Sequence, residues 1–230
     1  MSGEDDCKLP AHGAPAEDSL PAYYARRAAE YERIYERPER QGDLARMREV
    51  VPRLLAGRDL LEVACGTGYW TCVIAPLARS ILATDVGEEV LEIARAKSYP
   101  PGRVRFASAD AMALGQPRGP LDAAFIGFFW SHVEKSRLAG FLRGLHAVLK
   151  PGARVVAVDN RFVAGSSTPL SRTDSAGNTY QRRRLADGSD HEVLKNFPAA
   201  EDLRRTVAPI GEEVEVQELT YYWVLSYRAR

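Results

Sequence analysis

Cysteine and histidine are scarce in this 230-residue chain, which has 3 cysteines (Cys7, Cys65 and Cys72) and 4 histidines. Three thiols build no disulfide framework, and their spacing with the histidines makes no zinc-ligand pattern. Excess charge of one sign is also missing, with 31 Lys+Arg against 31 Asp+Glu. A nucleic-acid or polyanion binder carries a basic excess, so neutrality argues against that class. No stretch approaches the roughly 18 consecutive apolar residues of a membrane span. The first 19 residues, MSGEDDCKLPAHGAPAEDS, are acidic with no apolar segment, which is unlike a secretory signal and reads as a tail. The expectation is a soluble, cytoplasmic protein.

Beyond the tail, residues 20–230 read as one domain. PAYYARRAAEYERIYER places Tyr24, Ala28, Tyr31 and Tyr35 near one face of an amphipathic helix. A second helix spans about 42–55, so 20–56 forms a helical unit. From 57 to 160 the texture alternates. Short apolar runs at 58–64, 80–85, 104–110, 121–129 and 153–160 read as strands. Helices fall at 69–78, 87–98 and 136–149, the last stopped by Pro151-Gly152. Apolar strands alternating with helices imply a parallel sheet covered on both faces, an α/β, Rossmann-like architecture. After Asn160 the rhythm breaks. Residues 163–178 read as loop, and 179–197 as a β-hairpin turning at Asp187-Gly188. A helix near 199–207 precedes strands at 213–219 and 221–229, whose short connection makes them antiparallel.

The strongest signal is LLEVACGTGYWT, residues 60–71, a strand running through Gly66-Thr67-Gly68 into a helix. Glycines there let the backbone approach a ligand at the carboxyl edge of the sheet. Thr71 stands where a dinucleotide fingerprint has its third glycine, so the cradle suits pyrophosphate poorly. Glu62, just before the turn, repels phosphate and attracts an ammonium group. Asp85, at the end of the second strand, suits the two hydroxyls of a ribose. Asp110, at the end of the third, suits an adenine amino group.

On Glu62-x-x-x-Gly66-Thr67-Gly68, Asp85, Asp110-Ala111 and Leu149-Lys150-Pro151-Gly152, the sequence resembles the class I S-adenosylmethionine-dependent methyltransferases. The resemblance spans about 20–160 and continues less specifically to the end. It implies a seven-stranded, mostly parallel sheet with a reversed last strand, and S-adenosylmethionine as cofactor. It implies cofactor contacts at Glu62, Gly66, Thr67, Gly68, Trp70, Asp85, Val86, Asp110, Ala111 and Phe128. The N-terminal helix becomes a lid, with Tyr24 and Arg27 near the cofactor carboxylate. A narrower resemblance is to small bacterial natural-product methyltransferases, including a phosphonate O-methyltransferase. It rests on Tyr23-Tyr24-x-x-Arg27-Ala28-x-Glu30-Tyr31, Gly66-Thr67-Gly68-Tyr69-Trp70-Thr71, Ser131-His132-Val133, Arg182-Arg183-x-Leu185-x-Asp187-Gly188 and Lys195-x-Phe197. The segment around Pro38 departs from that group by lacking an aromatic residue.

His132 follows the fourth strand at the carboxyl edge and is the candidate to orient the acceptor or take its proton. Tyr31 and Trp130 are candidate pocket walls. On the hairpin, Arg183 faces opposite to Arg182 and Arg184. The narrower resemblance turns Arg183 inward, with Lys195 on the partner strand and Arg161 as a weaker third cation. Arginine gives bidentate recognition of a phosphonate or carboxylate. The resulting expectation is in-line methylation, on oxygen, of a small anionic molecule. The domain divides into lid (20–56), cofactor core (57–160), acceptor loop and hairpin (161–197) and closing helix and strands (198–230). No nucleic-acid, membrane or metal partner is expected, and the protein is read as a monomer or homodimer. Rival readings are N-methylation of a neutral heteroaromatic, a non-catalytic cofactor-binding protein, and an NAD-dependent oxidoreductase.

Overall fold

The computed structural model describes residue 32 and residues 34–115, 121–184 and 190–230. The acidic tail, most of the first helix with Tyr24, Arg27 and Tyr31, and the Asp187-Gly188 turn lie outside the described residues.

Seven strands form one sheet in the order β3-β2-β1-β4-β5-β10-β9. They are β1 (Asp59–Val63), β2 (Ser80–Asp85), β3 (Val104–Ser108), β4 (Leu121–Gly127), β5 (Leu149–Asn160), β9 (Gly211–Glu218) and β10 (Tyr222–Ala229). Only β10 is reversed, pairing antiparallel with both β5 and β9. The helices are α1 (Gln41–Leu54), α2 (Tyr69–Ile74), α3 (Glu88–Arg95), α4 (Lys135–Ala147) and α5 (Ala200–Val207). Alternation along each strand builds two cores. Leu60, Phe125, Val156 and Val158 pack under Leu44, Met47 and Val51 of α1 and Ile74 of α2. Leu61, Ile126, Val155 and Ala157 pack on the opposite face under Phe141 and Leu145 of α4 and Leu203 of α5. This bears out the seven-stranded, Rossmann-like fold with one reversed strand. No helix among the described residues is long and apolar enough to cross a membrane.

Two expectations are corrected. Pro151-Gly152 does not end a helix. The helix stops at Ala147, and β5 already begins at Leu149, with Gly152 in a left-handed conformation where the β4–β5 register shifts. The stretch 163–178 is not all loop. It contains β6 (Leu170–Thr173), which joins β7 (Thr179–Arg184) and β8 (Asp190–Leu194) in a separate three-stranded sheet. All four β6 residues are exposed, so the strand has no apolar alternation to reveal it.

Residues flanking β7 and β8 bolt that small sheet to the loop at the carboxyl edge of the main one. The Asn196 N–H donates to Ser131 O at 2.8 Å, and Asn196 Nδ2 donates to Val133 O at 3.1 Å. Asn178 Oδ1 accepts from the Lys135 N–H at 2.9 Å. The segment following β8 therefore lies over the loop that leaves β4.

Candidate active site

In this strand order β1 lies between β2 and β4, so the chain reverses direction across the sheet at the carboxyl ends of β1 and β4. Such a switch point opens a crevice where ligands of α/β sheets bind. Both lips carry a non-glycine residue at positive φ: Ala64 (53°) after β1 and Phe128 (59°) after β4. Left-handed backbone at such residues costs on the order of 1–3 kcal/mol and concentrates at functional sites. The Phe128 N–H is held by Val158 O at 2.8 Å.

The glycine turn borders this crevice. Gly68 has φ +79°, and a Cβ on it would lie 2.6 Å from the Tyr99 hydroxyl. Gly127, on the facing lip, would set a Cβ 2.9 Å from the Phe125 ring. The missing side chain at Gly127 leaves room in the crevice beside Phe125 and Trp70, whereas at Gly68 it lets the turn pack closely against Ala94 of α3 and Tyr99. Its cavity is lined by Tyr35, Glu62, Gly66, Thr67, Trp70 and Gly127, among others. Two buried polar atoms of lining residues lack a hydrogen-bond partner, Glu62 Oε2 and Trp70 Nε1. Burial pushes the Glu62 carboxyl up to about 8, against a smaller pull from the Thr71 hydroxyl. An acidic, under-satisfied wall of this kind fits a ligand bearing an ammonium group.

Asp85 ends β2 and accepts the Gly66 N–H on Oδ2 at 2.8 Å and the Gly87 N–H on Oδ1 at 3.0 Å. Burial pushes its carboxyl up, opposed by these backbone donors. Its next neighbour Val86 is an exposed apolar side chain, 52% accessible, on the sheet edge. Asp110, exposed beyond β3, accepts the Met112 N–H at 2.8 Å, which holds the loop containing Ala111. These groups fit S-adenosylmethionine. Glu62 suits the ammonium, Asp85 the ribose, and Val86 with Asp110 and Ala111 the adenine, while Gly66 and Gly68 allow close backbone approach.

Thr67, buried in the turn, donates to Glu32 Oε1 at 2.7 Å, and Lys97 Nζ also bonds that oxygen. Tyr35 is buried, stacked on Tyr69 with 3.8 Å between centroids and edge-on to Phe128 and Trp70. Helical spacing in the sequence places Tyr35 on the face of Tyr24 and Tyr31 but does not mark it as a site residue.

Beside the crevice, the turn Trp130–His132 follows β4. His132 Nδ1 lies 2.7 Å from Leu194 O, an acceptor, so Nδ1 carries the hydrogen and Nε2 the lone pair. Burial, then the charges of Lys195 and Arg183, hold the imidazole well below its usual pKa, against the opposing charge of Asp159. Arg183 is half-buried while Arg182 and Arg184 are exposed, and its Nη2 donates to Gln181 Oε1 at 2.9 Å. Lys195 is buried, with Nζ 2.9 Å from Asp159 Oδ1 and 2.5 Å from Ser131 Oγ. Asp159 was missed by sequence reading, which weighed the acids ending β1 to β3 but not the one near the end of β5.

Two expected acceptor contacts are corrected. Trp130 is 2% exposed inside the core, edge-on to Trp223 at 6.0 Å, and is not among the residues lining the crevice. Arg161 is committed elsewhere: Nη1 bonds Leu219 O, and Nη2 pairs with Glu218 at 3.3 Å. Among the described residues no cluster of three or more His, Cys, Asp or Glu is arranged to hold a metal.

Comparison with known proteins agrees with this geometry. Residues 60–152 match the family described as "Methyltransferase domain". The demethylmenaquinone methyltransferase of Clavibacter sepedonicus is 35% identical over 170 residues, covering 67% of this chain and 68% of that protein. The demethylmenaquinone methyltransferase of Thermus thermophilus is 30% identical over 181 residues, covering 72% and 79%. Among solved structures, a complex of DhpI with SAM and HEP superposes with a TM-score of 0.75 at 26% identity, covering 96% of this chain and 100% of that one. A DhpI complex with SAH gives 0.73 at 27% identity, covering 92% and 96%. With its switch-point crevice, glycine turn and strand-end acids, the chain belongs to the class I S-adenosylmethionine-dependent methyltransferases.

Proposed function

We propose that this methyltransferase acts on an oxygen of a small anionic acceptor, held beside the cofactor by the small three-stranded sheet. The observation that carries the reading is the gathering of Arg183, Lys195 and an uncharged His132 at the carboxyl ends of β4 and β5. When bound, S-adenosylmethionine supplies a methyl group activated on a sulfonium, which needs alignment more than further activation. Glu62, Asp85 and the Gly66–Gly68 backbone orient the donor. Arg183 offers two parallel N–H groups to a phosphonate or carboxylate, which fixes the acceptor oxygen in line. Lys195 adds a second positive charge. His132 Nε2 accepts the proton where the acceptor oxygen still carries one. The aromatic wall of Tyr35, Trp70 and Phe128 excludes water from the transfer.

The experiment is an acceptor panel of alkylphosphonates, carboxylates, phosphate esters, heteroaromatic amines and a short-chain demethylated quinone, followed by S-adenosylhomocysteine release. Turnover is expected with phosphonates or carboxylates. Arg183→Ala is expected to lower kcat/KM for the active anion by about 10- to 100-fold, the loss of one or two charge-assisted hydrogen bonds. Arg161→Ala is expected to leave it within about threefold, since its guanidinium is engaged by Glu218. Turnover of the amine alone, insensitive to Arg183, selects the N-methylation reading. Cofactor binding without turnover of any compound selects a non-catalytic one. The quinone is included because the curated relatives carry a demethylmenaquinone name, and its turnover would move the acceptor to that class.

A further inference from the structure

Lys195 is one of the two cations of the proposed acceptor site, yet only 5% of its side chain is exposed, and its counter-ion Asp159 is fully buried. Asp159 gathers four donors. Oδ1 accepts from Lys195 Nζ at 2.9 Å, from the Asn160 N–H at 2.7 Å and from Asn160 Nδ2 at 3.1 Å. Oδ2 accepts the Ser131 N–H at 2.9 Å. Ser131 adjoins His132, His132 Nδ1 bonds Leu194 O, and Leu194 adjoins Lys195, whose Nζ returns to Ser131 Oγ. The result is a closed ring through β5, the turn after β4 and the end of β8. It fixes the imidazole and the ammonium relative to each other.

A buried ion pair is a poor device for stability, since well-packed apolar residues often do as well or better. It is a good device for keeping a lysine charged away from water, because an unpaired buried lysine gives up its proton. An ammonium has three N–H groups, and two of these are used among the described residues. The third makes no hydrogen bond among the described residues.

We propose that Asp159 is a positioning residue for methyl transfer: its carboxylate fixes the charged Lys195 ammonium and the Ser131–His132 turn in one frame, so that both address a single anionic acceptor group. This rests on the anionic-acceptor reading above. The groups facing Lys195 are Asp159 from β5, Ser131 and His132 from the turn after β4, Arg183 from β7 and Arg40 from the turn before α1. Burial and both arginines push the Lys195 pKa down, and Asp159 pushes it up. Removing the carboxylate therefore leaves only groups that favour the neutral amine.

The test uses the full chain saturated with S-adenosylhomocysteine, wild type against Asp159→Asn, with methylphosphonate as the probe. In Asp159→Asn, S-adenosylhomocysteine affinity is expected to stay within about threefold, because the cofactor crevice is separate from the ring. Methylphosphonate affinity at pH 8 is expected to fall at least about tenfold and to recover towards pH 6 as Lys195 regains its proton. The ratio of variant to wild type at each pH removes the titration of the phosphonate itself. Unchanged affinity and an unchanged pH profile in the variant overturn the proposal. The Lys195 titration, followed by carbon NMR at Cε, provides an acceptor-independent reading. Wild-type Lys195 is expected to remain an ammonium at pH 7.5, and a neutral amine there overturns the proposal even if the variant does not fold. If Lys195 titrates as expected but wild-type protein binds no methylphosphonate, carboxylate or phosphate, the anionic-acceptor reading fails while the hold of Asp159 on Lys195 stands.

Discussion

Asp85 and Gly66 are joined across neighbouring strand ends, the Gly66 N–H donating to Asp85 Oδ2 at 2.8 Å. The same carboxylate holds the turn that leads into α3 through the Gly87 N–H at 3.0 Å. One side chain therefore sets the position of the glycine turn and of the chain after β2, while its remaining lone pairs suit a ribose. Asp85→Ala is expected to weaken S-adenosylhomocysteine binding by about 10- to 100-fold and to cost about 1–3 kcal/mol of stability, since two N–H groups lose a charged acceptor. Calorimetry and urea unfolding check the two effects separately. Unchanged binding would count against a cofactor role for Asp85.

Gly68 is constrained twice. Its φ of +79° disfavours any side chain, and a Cβ would meet the Tyr99 hydroxyl at 2.6 Å and the Ala94 Cβ at 3.0 Å. Gly68→Ala is expected to cost about 2–4 kcal/mol, of which about 1 kcal/mol is backbone strain and the rest overpacking. Adding Tyr99→Phe relieves the hydroxyl contact but not the backbone, so a double-mutant cycle should show coupling of about 1 kcal/mol. Strict additivity would mean that the hydroxyl contact contributes nothing.

The frame of the fold was legible in the sequence because buried strands and glycine turns obey local rules. Residues 80–85 read as a strand and are β2, and Gly66-Thr67-Gly68 read as a ligand turn and border the crevice. What was illegible depends on partners far along the chain. β6 has no buried face, so nothing in Leu170–Thr173 distinguishes it from loop. Trp130 lies two residues from His132 in sequence, but the turn Trp130–His132 sends its ring into the α4-side core, whereas the imidazole turns to Leu194 of the small sheet. Arg161 looked like part of a cationic cluster because Glu218, its actual partner, is 57 residues away on β9, and only the β5–β10 and β10–β9 pairings together bring it near. Asp159 carried a visible signal, an acid near the end of an apolar strand, but its lysine is supplied by the separate small sheet.

Among the described residues, Glu32 meets the glycine turn through Thr67 and is held in turn by Lys97. The Lys97–Glu32 pair is partly exposed, at 25% and 38%, so it adds little to global stability. Lys97→Met should therefore change unfolding free energy by less than about 1 kcal/mol. It should still raise the dissociation constant of S-adenosylhomocysteine by about 3- to 10-fold, because Thr67 and the turn lose a fixed neighbour. A large stability loss with no change in affinity would assign the contact to folding alone.

Glu62 links the cofactor site to pH. Its folded carboxyl is pushed up to about 8 by burial, against 4.5 for an ordinary glutamate. Between those values the unliganded folded chain holds a proton that the unfolded chain has released. The stability contributed by this proton is complete below about 4.5, declines as pH rises, and is gone above about 8. The slope is at most about 1.4 kcal/mol per pH unit, and Glu62→Gln should flatten it. A cationic ammonium placed against Oε2 favours the ionised form instead. Binding of S-adenosylhomocysteine near pH 7 should then release up to about one proton in the wild type and none from this position in Glu62→Gln. Calorimetry in buffers of different ionisation enthalpy counts the protons directly. An identical count in both proteins would remove Glu62 from the ammonium site and leave its burial a matter of packing.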